Sequence, residues 1–363
     1  MTESAAPASA AGPVLVYTEG DLLQSGSYDA PLIAGGVRCH GGFDTDGHYR
    51  SPRTLHRAPA IRAWQAQLAA EGHPVLAIDP ALMPPQYPNT AQARLLLLEG
   101  VRDPVVRRLT IIAIVEGFGA IIRDVRVPDL SSLLVEPVSG SALAHLRGGL
   151  FEAHARDEAG YRDEGGHKQM WEAARDLALE SPKIPGDVLM RLMGQGPGRR
   201  RERRRLFPQI DPDLEHLLAT MVQVLAVEVF AMGAFDWGEQ LLSDPEVSAD
   251  PERAGAMVRY IRSDENPHVE YLRTALSELG ARTVRTVDGK TLPGHTVVHG
   301  LLHATLRGLT RERRQEQRAD IRDNVLEAMK QHANPAGLLE RFDALETLWV
   351  APERTGFEPA EPA

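Results

Sequence analysis

The sequence has little of several features that would assign it to a class. A single cysteine, Cys39, stands among 363 residues, which excludes an internal disulfide and a cysteine-held iron–sulfur cluster and suits a reducing cytoplasm. No uninterrupted apolar run reaches about eighteen residues, and residues 1–13 lack a basic-then-apolar signal pattern. We therefore expect a soluble, cytoplasmic protein without a membrane span. The formal net charge of -10 argues against a general nucleic-acid-binding role.

Two segments of the chain carry the same short motif. Residues 163–167 and residues 264–268 both have the sequence Asp-Glu-x-x-His. In a helix, side chains three positions apart lie on one face, so each copy predicts a carboxylate and an imidazole directed at one point. Two copies among thirteen histidines are more than composition alone would produce. This combination of ligand types favours a metal site.

An isolated glutamate precedes each motif. Glu116 lies in the apolar run 108–122, and Glu228 lies in the apolar run 221–232. A carboxylate on a buried helix is unfavourable unless it is paired or bound to a cation. The chain order is therefore Glu, Glu-x-x-His, Glu, Glu-x-x-His.

This order of residues resembles the ferritin-like di-iron carboxylate superfamily, in particular its oxygenase and oxidase branch. The resemblance covers about residues 105–280 and implies two iron ions, or one manganese and one iron, with O2 as co-substrate. The metal ligands that it implies are Glu116, Glu164, His167, Glu228, Glu265 and His268, the first three mainly for one ion and the last three for the other. It further implies that Asp163 and Asp264 orient the histidines, with Tyr161 as another candidate beside the metal.

The register of the first motif has an alternative. Residues 157–161, Asp-Glu-Ala-Gly-Tyr, are a near-copy of the motif that lies six residues earlier. Glu164 is preferred to Glu158 because only Glu164 has a histidine three positions later. Ile261 stands where the amine N-oxygenases of the superfamily tend to carry an additional histidine, which counts against that subfamily.

The resemblance implies an enzyme that hydroxylates, N-oxygenates or desaturates a small-molecule or carrier-bound organic substrate. No flavin or nicotinamide motif is present, so a separate reductase or ferredoxin is expected as electron donor. A homodimer is implied by the resemblance alone. Three alternatives stay open: a ferroxidase or peroxide-scavenging relative, an RNA-modifying hydroxylase, and a helical protein without enzymatic activity.

The predicted fold is all-α, a ferritin-like four-helix bundle with extra helices. Residues 91–285 form the bundle, 286–350 are C-terminal helices and 351–363 are a tail. Residues 1–90 form an irregular, partly β extension, with strands at 13–17 and 74–78, a hairpin near 41–48 and a helix over 59–71. One long helix over 141–179 is expected to carry Glu164 and His167. Proline after aspartate predicts helix starts at 211–212 and 250–251, and the second helix continues through Pro267.

Three further groups of polar residues are weighed against the bundle site. The spacing of Cys39, His40, His48 and His56 is not that of a recognised metal site. His295, His299 and His303 follow one helix face, which is more typical of packing than of ligation. The run at 199–205 holds six arginines in seven residues and is either a solvated loop or an anion dock for a phosphate-bearing substrate, an acyl carrier, RNA or an acidic electron-transfer protein.

Overall fold

The computed structural model describes residues 15–79, 82–186, 188, 205–312 and 314–346. The chain is mainly helical, as predicted, with a few short strands in addition. The arginine run lies outside the described residues except for Arg205, which pairs with Glu215 at the start of a helix. The tail predicted for 351–363 also lies outside the described residues.

The N-terminal part combines short helices with a small sheet. Its elements are α1 (Glu19–Leu22), β1 (Ala30–Ala34), β2 (Val37–Phe43), β3 (Tyr49–Arg50) and α2 (Arg57–Ala70). The strands form an antiparallel sheet in the order β1-β2-β3, and the hairpin predicted near residues 41–48 is confirmed. Helix α2 agrees with the predicted helix to within two residues. The strand predicted over 74–78 is wrong, because these residues run across the surface of another helix, where Leu76 N donates to Ser277 Oγ.

The middle of the chain supplies the central helices. They are α3 (Thr90–Leu98), α4 (Asp103–Gly119), a 3-10 turn (Ala120–Asp124), α5 (Leu130–Leu133), α6 (Phe151–Ala159), α7 (His167–Leu179), α8 (Pro212–Leu242) and α9 (Pro251–Gly280). Helix α8 packs along α9, α4 packs against α6 and α7, and α7 packs against α9. The buried apolar side chains form two clusters around these helices.

Helices α8 and α9 begin where the sequence predicts. The Asp211 carboxylate accepts from two backbone amides of the first turn of α8, and the Asp250 carboxylate accepts from one, that of Arg253, at the start of α9. Pro267 lies inside α9, which continues to Gly280. Helix α8 is long and apolar enough to cross a membrane by length and composition, but its buried face packs on α9, as in the core helix of a soluble protein.

The long helix predicted over 141–179 is wrong. The chain forms a 3-10 turn (Ala142–His145), a π-turn (Leu146–Leu150), then α6, a non-helical turn over 160–166, and α7. Gly160 ends α6 with φ +82°, and a Cβ on Gly166 would lie 2.3 Å from the carbonyl oxygen of Asp157. The turn is also fixed to β2, since Gly165 N donates to Arg38 O and His40 N donates to Gly165 O. Helix continuity is therefore lost inside the first motif.

The C-terminal part covers one side of the bundle. A hairpin of β4 (Thr283–Arg285) and β5 (Thr291–Pro293) leads into α10 (Gly294–Arg307), a π-turn (Gly308–Glu312), α11 (Arg314–Met329) and α12 (Pro335–Ala344). Helix α10 packs on α8 and α9, and α11 contacts α4. Helices are therefore present between residues 294 and 344, and the boundaries 286–350 of the C-terminal part stay a prediction.

Candidate metal centre

A cluster of seven buried ionisable side chains lies between the central helices. Its members are Glu116 on α4, His154 and Glu158 on α6, His167 on α7, Glu228 on α8, and Glu265 and His268 on α9. All seven are buried, with at most 8% of each residue exposed. Four carboxylates and three imidazoles thus meet in the interior of the bundle.

Two carboxylates occupy the middle of the cluster. Glu158 Oε1 lies 3.5 Å from Nδ1 of His167 and 3.1 Å from Nδ1 of His268. It also lies 3.7 Å from Nε2 of His154. Glu265 places Oε1 at 2.8 Å from Nδ1 of His167 and Oε2 at 2.7 Å from Nδ1 of His268. Glu158 and Glu265 therefore face the imidazoles on both sides.

The two remaining carboxylates lie at opposite ends of the cluster. Glu116 Oε2 is 3.7 Å from Nδ1 of His167. Glu228 Oε1 is 3.3 Å from Nε2 of His154. These two glutamates retain 8% and 7% exposure, whereas the other five members retain 2% or less. The cluster thus comes closest to the surface at α4 and α8.

The ring nitrogen of each imidazole that points away from the carboxylates contacts a second polar group. His268 Nε2 lies 2.9 Å from Oδ2 of Asp157, and His154 Nδ1 lies 3.2 Å from the Tyr271 hydroxyl. His167 Nε2 lies 3.6 Å from Oδ2 of Asp264. Partners of this kind fix the tautomer and ring orientation of ligating histidines. The other nitrogen of each ring is thereby turned toward the carboxylates.

The N-terminal part of the chain supports these outer partners. Asp157 is paired with Arg53 at 2.5 Å and with the fully buried Arg57 at 2.8 Å. The Tyr49 hydroxyl donates to Oδ2 of Asp264 at 2.7 Å. Residues of the segment predicted to be an extension outside the bundle therefore reach the site. The division of the chain at residues 90 and 285 stays a prediction.

Several buried ligand atoms of the cluster face one another without forming an aligned hydrogen bond. They are His154 Nε2, Glu158 Oε2, His167 Nδ1 and Glu265 Oε1, although His167 Nδ1 and Glu265 Oε1 lie only 2.8 Å apart. An unsatisfied buried polar atom costs about 1–3 kcal/mol, so the convergence of these atoms favours a further partner. All four are metal-ligand atoms, and the partner that suits both nitrogen and oxygen lone pairs is a cation.

Ligand atoms of the cluster form two overlapping groups. One group consists of His154, Glu158, Glu228 and His268, and the other of Glu158, His167, Glu265 and His268. Within each group the ligand atoms lie within 4.8 Å of one another. Each group could hold a metal ion, and the two groups share Glu158 and His268.

The protonation of the metal-free centre follows from burial and from mutual repulsion. Burial, together with the charges of Glu158 and Glu265, raises the pKa of Glu116 and of Glu228 well above 4.5. Burial alone would lower the pKa of His167 and His268, but Glu265 and neighbouring carboxylates raise it well above 6.5. The raised pKa values favour the protonated forms of these four side chains, so a metal ion that binds them would displace protons.

The stabilisation given by metal should grow as the pH rises. A side chain whose pKa is higher in the folded than in the unfolded protein stabilises the fold at pH values below its unfolded-state pKa, here 4.5 for the glutamates and 6.5 for the histidines. This stability is lost as the pH rises through the folded-state pKa. The metal-free protein should therefore weaken toward alkaline pH, while bound Zn²⁺ replaces the protons. Thermal unfolding with and without Zn²⁺ across neutral pH measures the difference. A difference that shrinks with rising pH would contradict protonated glutamates and histidines.

Five of the six predicted ligands lie in the cluster: His167, Glu228, Glu265 and His268 belong to the two ligand groups, and Glu116 lies beside them, 3.7 Å from His167. The structure places Glu164 outside it, in the turn between α6 and α7, where it pairs with Arg38 at 3.2 Å and His40 at 3.2 Å. Glu158 takes the corresponding position, because the helix that presents a carboxylate to the centre ends at residue 159. The ligand roles themselves stay predictions.

Of the residues predicted to lie beside the metal ligands, one contacts the cluster and two do not. Asp264 lies behind His167, as described above, but Asp163 is exposed, and Asp157 lies at the corresponding position behind His268. Tyr161 is half-buried, with the guanidinium of Arg156 3.6 Å from its ring centre, and none of its hydrogen bonds or ring contacts within the described residues is with a member of the cluster. The correction for Asp163 and Tyr161 has the same physical cause as that for Glu164, namely the non-helical turn.

Sequence reasoning missed His154, Arg53, Arg57 and Tyr49. His154 lies four residues before Glu158, on the same face of α6, and this spacing would have identified it once Glu158 was chosen. The other three residues have no such local signal, because their partners lie a hundred or more positions away.

The other polar groups considered in the sequence form no buried group of metal ligands within the described residues. Cys39 is buried, and burial raises the pKa of its thiol to about 11, while His56 contacts Gln24. His295 and His299 meet edge to face at 6.3 Å. Within the described residues, the histidines of α10 belong to no cluster of three ligand atoms. Asp44, Asp46 and His48 form a small group at the exposed hairpin, where Asp44 already binds Arg50 and backbone amides.

Gly119 allows α4 to approach Glu158, and adding a methyl group there should weaken metal binding. A Cβ at this position would lie 2.6 Å from Cγ of Glu158, whereas a Cβ on Gly117 would meet only the flexible end of Lys168. We expect Gly119→Ala to displace Glu158 and lower metal affinity by about 10- to 100-fold, measured by competition with a chelator.

Gly117→Ala is the matched control, since it adds the same helix-favouring methyl to α4. Equal affinities in the two variants would show that Glu158 tolerates displacement.

Comparisons with protein-family models, with curated proteins and with solved structures give no match for this chain.

Proposed function

We propose that this protein is a non-haem di-metal oxidoreductase, an oxygenase or oxidase that uses O2 on an organic substrate. The proposal includes a ferritin-like bundle of α4, α6 with α7, α8 and α9, and two iron ions, or one manganese and one iron. The observation that carries it is the buried cluster of four glutamates and three histidines whose unsatisfied atoms converge. The order of these ligands along the chain supports the oxygenase and oxidase branch.

The charge of the cluster suits two divalent ions. Four carboxylates with three neutral imidazoles carry four negative charges, which two divalent cations would balance. When bound, such a pair of ions supplies the activation of O2, which protein side chains do not provide. The protein supplies the fixed ligands, the orientation of the imidazoles by Asp157, Asp264 and Tyr271, and a wall of buried apolar residues that excludes water. Ile112, Leu225 and Ile261 are buried, and each lies about one helical turn before a glutamate of the cluster.

An exposed apolar surface beside the cluster supports an organic substrate. Val115, Phe118 and Ile121 are 41%, 51% and 58% exposed, and they flank Glu116 along α4 and the turn that follows. Large apolar side chains grouped on a surface mark binding sites more often than chance. A soluble iron-storage protein has no need of such a surface, which favours the oxygenase over the ferroxidase alternative.

The reaction needs electrons from another protein. In a single-cysteine chain no iron–sulfur cluster can be built from thiolates, and the sequence has no flavin or nicotinamide motif. We therefore propose a separate reductase or ferredoxin as donor and a cytoplasmic location. We include a homodimer in the proposal only because the resemblance implies one.

The proposal is tested by loading the metal-free protein with Fe²⁺ under anaerobic conditions and then admitting isotopically labelled O2. We expect stoichiometric iron binding and label in an organic product identified by mass spectrometry of a substrate library. Failure to bind iron would exclude the di-metal assignment. Turnover of excess Fe²⁺ into ferric mineral, without labelled organic product, would favour the ferroxidase.

A further inference from the structure

The guanidinium of Arg108, on α4, forms no ion pair with a carboxylate of the described residues. It is partly buried and donates to Oε1 of Gln86, and burial lowers the pKa of Arg108 to about 10. Removing a cation from water without a counter-charge is unfavourable. The position therefore favours an additional anion beside Arg108.

Gln86 joins this guanidinium to α8. Its side chain is buried, and its Nε2 would lie 3.7 Å from a Cβ added to Gly233 of α8. Arg108 Nε and Gln86 Nε2 are both buried, and neither has an acceptor among the described residues. Each is an N–H donor, and a carboxylate has two oxygens that accept from neighbouring donors of this kind. The pair is therefore suited to a carboxylate and unsuited to a cation.

An apolar strip of α4 leads from Arg108 toward the metal centre. Val115 lies on the same helix face as Arg108, seven residues later, and Phe118 extends the strip by about one turn. Both side chains are exposed, and Ile111 between them and Arg108 is half-buried. Glu116 follows Arg108 by eight residues, which is about 12 Å along the helix axis. A ligand anchored at Arg108 reaches Glu116 only with an apolar chain of that length, which excludes acetate and single-ring aryl carboxylates.

We propose that Arg108 and Gln86 bind the carboxylate of a medium- or long-chain alkyl carboxylate, whose apolar chain lies along α4 over Val115 toward Glu116. The carboxylate supplies the acceptors that the two donors lack, and the chain removes exposed apolar surface from water. Glu116 lies where the cluster comes close to the surface, so carbons of the chain, and not its polar end, face the metal centre. The role of this ligand as substrate rests on the proposed function, whereas its binding is measured without metal.

Isothermal titration calorimetry with the whole, metal-free chain at neutral pH tests the inference. The probe is dodecanoate, used below the concentration at which it forms micelles. Acetate carries the same charged group without the chain, and dodecyltrimethylammonium carries the same chain with a cationic group. We expect dodecanoate to bind, and each control to bind at least about tenfold more weakly, because acetate buries little apolar surface and the ammonium forms no hydrogen bond with Arg108.

Two pairs of matched variants locate the site. Arg108→Gln should weaken dodecanoate binding about 10- to 100-fold, the effect of losing a hydrogen bond between charged groups. Arg107→Gln should not, because Arg107 pairs with Asp103. Val115→Ser should also weaken binding, whereas Leu98→Ser, which removes a similarly exposed apolar side chain from α3, should not. Circular dichroism confirms that each variant is folded, and the comparison of the three probes on the unaltered protein decides the inference if a variant does not fold.

The outcomes separate this inference from the proposed function. Dodecanoate that binds no more tightly than acetate or dodecyltrimethylammonium, or that binds equally well to Arg108→Gln, would overturn the inference and leave the di-metal proposal intact. Selective dodecanoate binding by a protein that takes up no iron would support the carboxylate site and overturn the di-metal proposal.

Discussion

Glu158→Gln should remove most of the bound metal, whereas Glu164→Gln should leave it bound. Glu158 faces all three imidazoles of the centre, with one oxygen at 3.1–3.7 Å from each ring. Glutamine keeps the size of the side chain but removes the negative charge that both ions would share. Replacing partners that only orient ligands already weakens metal binding by about 10- to 100-fold, so loss of a shared ligand should reduce affinity by at least that factor. Metal content after dialysis, measured by atomic emission, gives the result.

Glu164→Gln is the matched control for this experiment. The side chain of Glu164 is 38% exposed, and its partners Arg38 and His40 lie outside the cluster. An exposed ion pair contributes little to stability, so this variant should fold and retain metal. The reverse result, with metal lost from Glu164→Gln and kept by Glu158→Gln, would restore the helical motif of the sequence analysis and contradict the centre described here.

The residues that the sequence alone identified share one property, which is a signal within a single helix. Glu116 and Glu228 stand out because a carboxylate interrupts an apolar run, and Glu265 with His268 lies on one face of the continuous helix α9. Each of these signals needs only the helix to form, which propensity and apolar periodicity predict well. The mainly helical fold was predicted for the same reason.

The prediction from the first motif was wrong for Glu164 because it assumed a continuous helix, which the chain does not form there. Glu164 and His167 are three positions apart, but Gly160, Gly165 and Gly166 allow a tight turn fixed to β2. His167 then begins a new helix and meets Glu158 of the preceding one. The cost of glycine in a helix interior is about 1 kcal/mol each, so three glycines in seven residues were a local indication of this break.

The supporting residues could not be predicted from local pattern at all. Tyr49 and Arg53 contact Asp264 and Asp157 across sequence separations of 215 and 104 residues. Nothing near Tyr49 or Arg53 distinguishes them from the other polar residues of a loop-rich segment. Only the folded chain shows that this segment contacts the two aspartates that lie beside the histidines.

Arg57→Met should destabilise the metal-free protein by about 3 kcal/mol or more. Arg57 is fully buried and pairs with Asp157 at 2.8 Å, and breaking a buried ion pair by removing one partner typically costs about 3–5 kcal/mol because a charge is left uncompensated. Denaturation by urea, followed by circular dichroism, measures the loss. The metal-free protein is the appropriate sample, since bound ions would add their own stabilisation.

Arg62→Met provides the control, because Arg62 lies on the same helix α2 but is exposed. An exposed substitution of this kind changes stability by about 0.5 kcal/mol or less. Arg57→Met should in addition weaken metal binding, since Asp157 would hold the outer nitrogen of His268 less firmly, and Arg62→Met should not. If Arg57→Met were as stable as Arg62→Met and bound metal equally well, Arg57 would not support the centre, and Arg53 alone would suffice to hold Asp157.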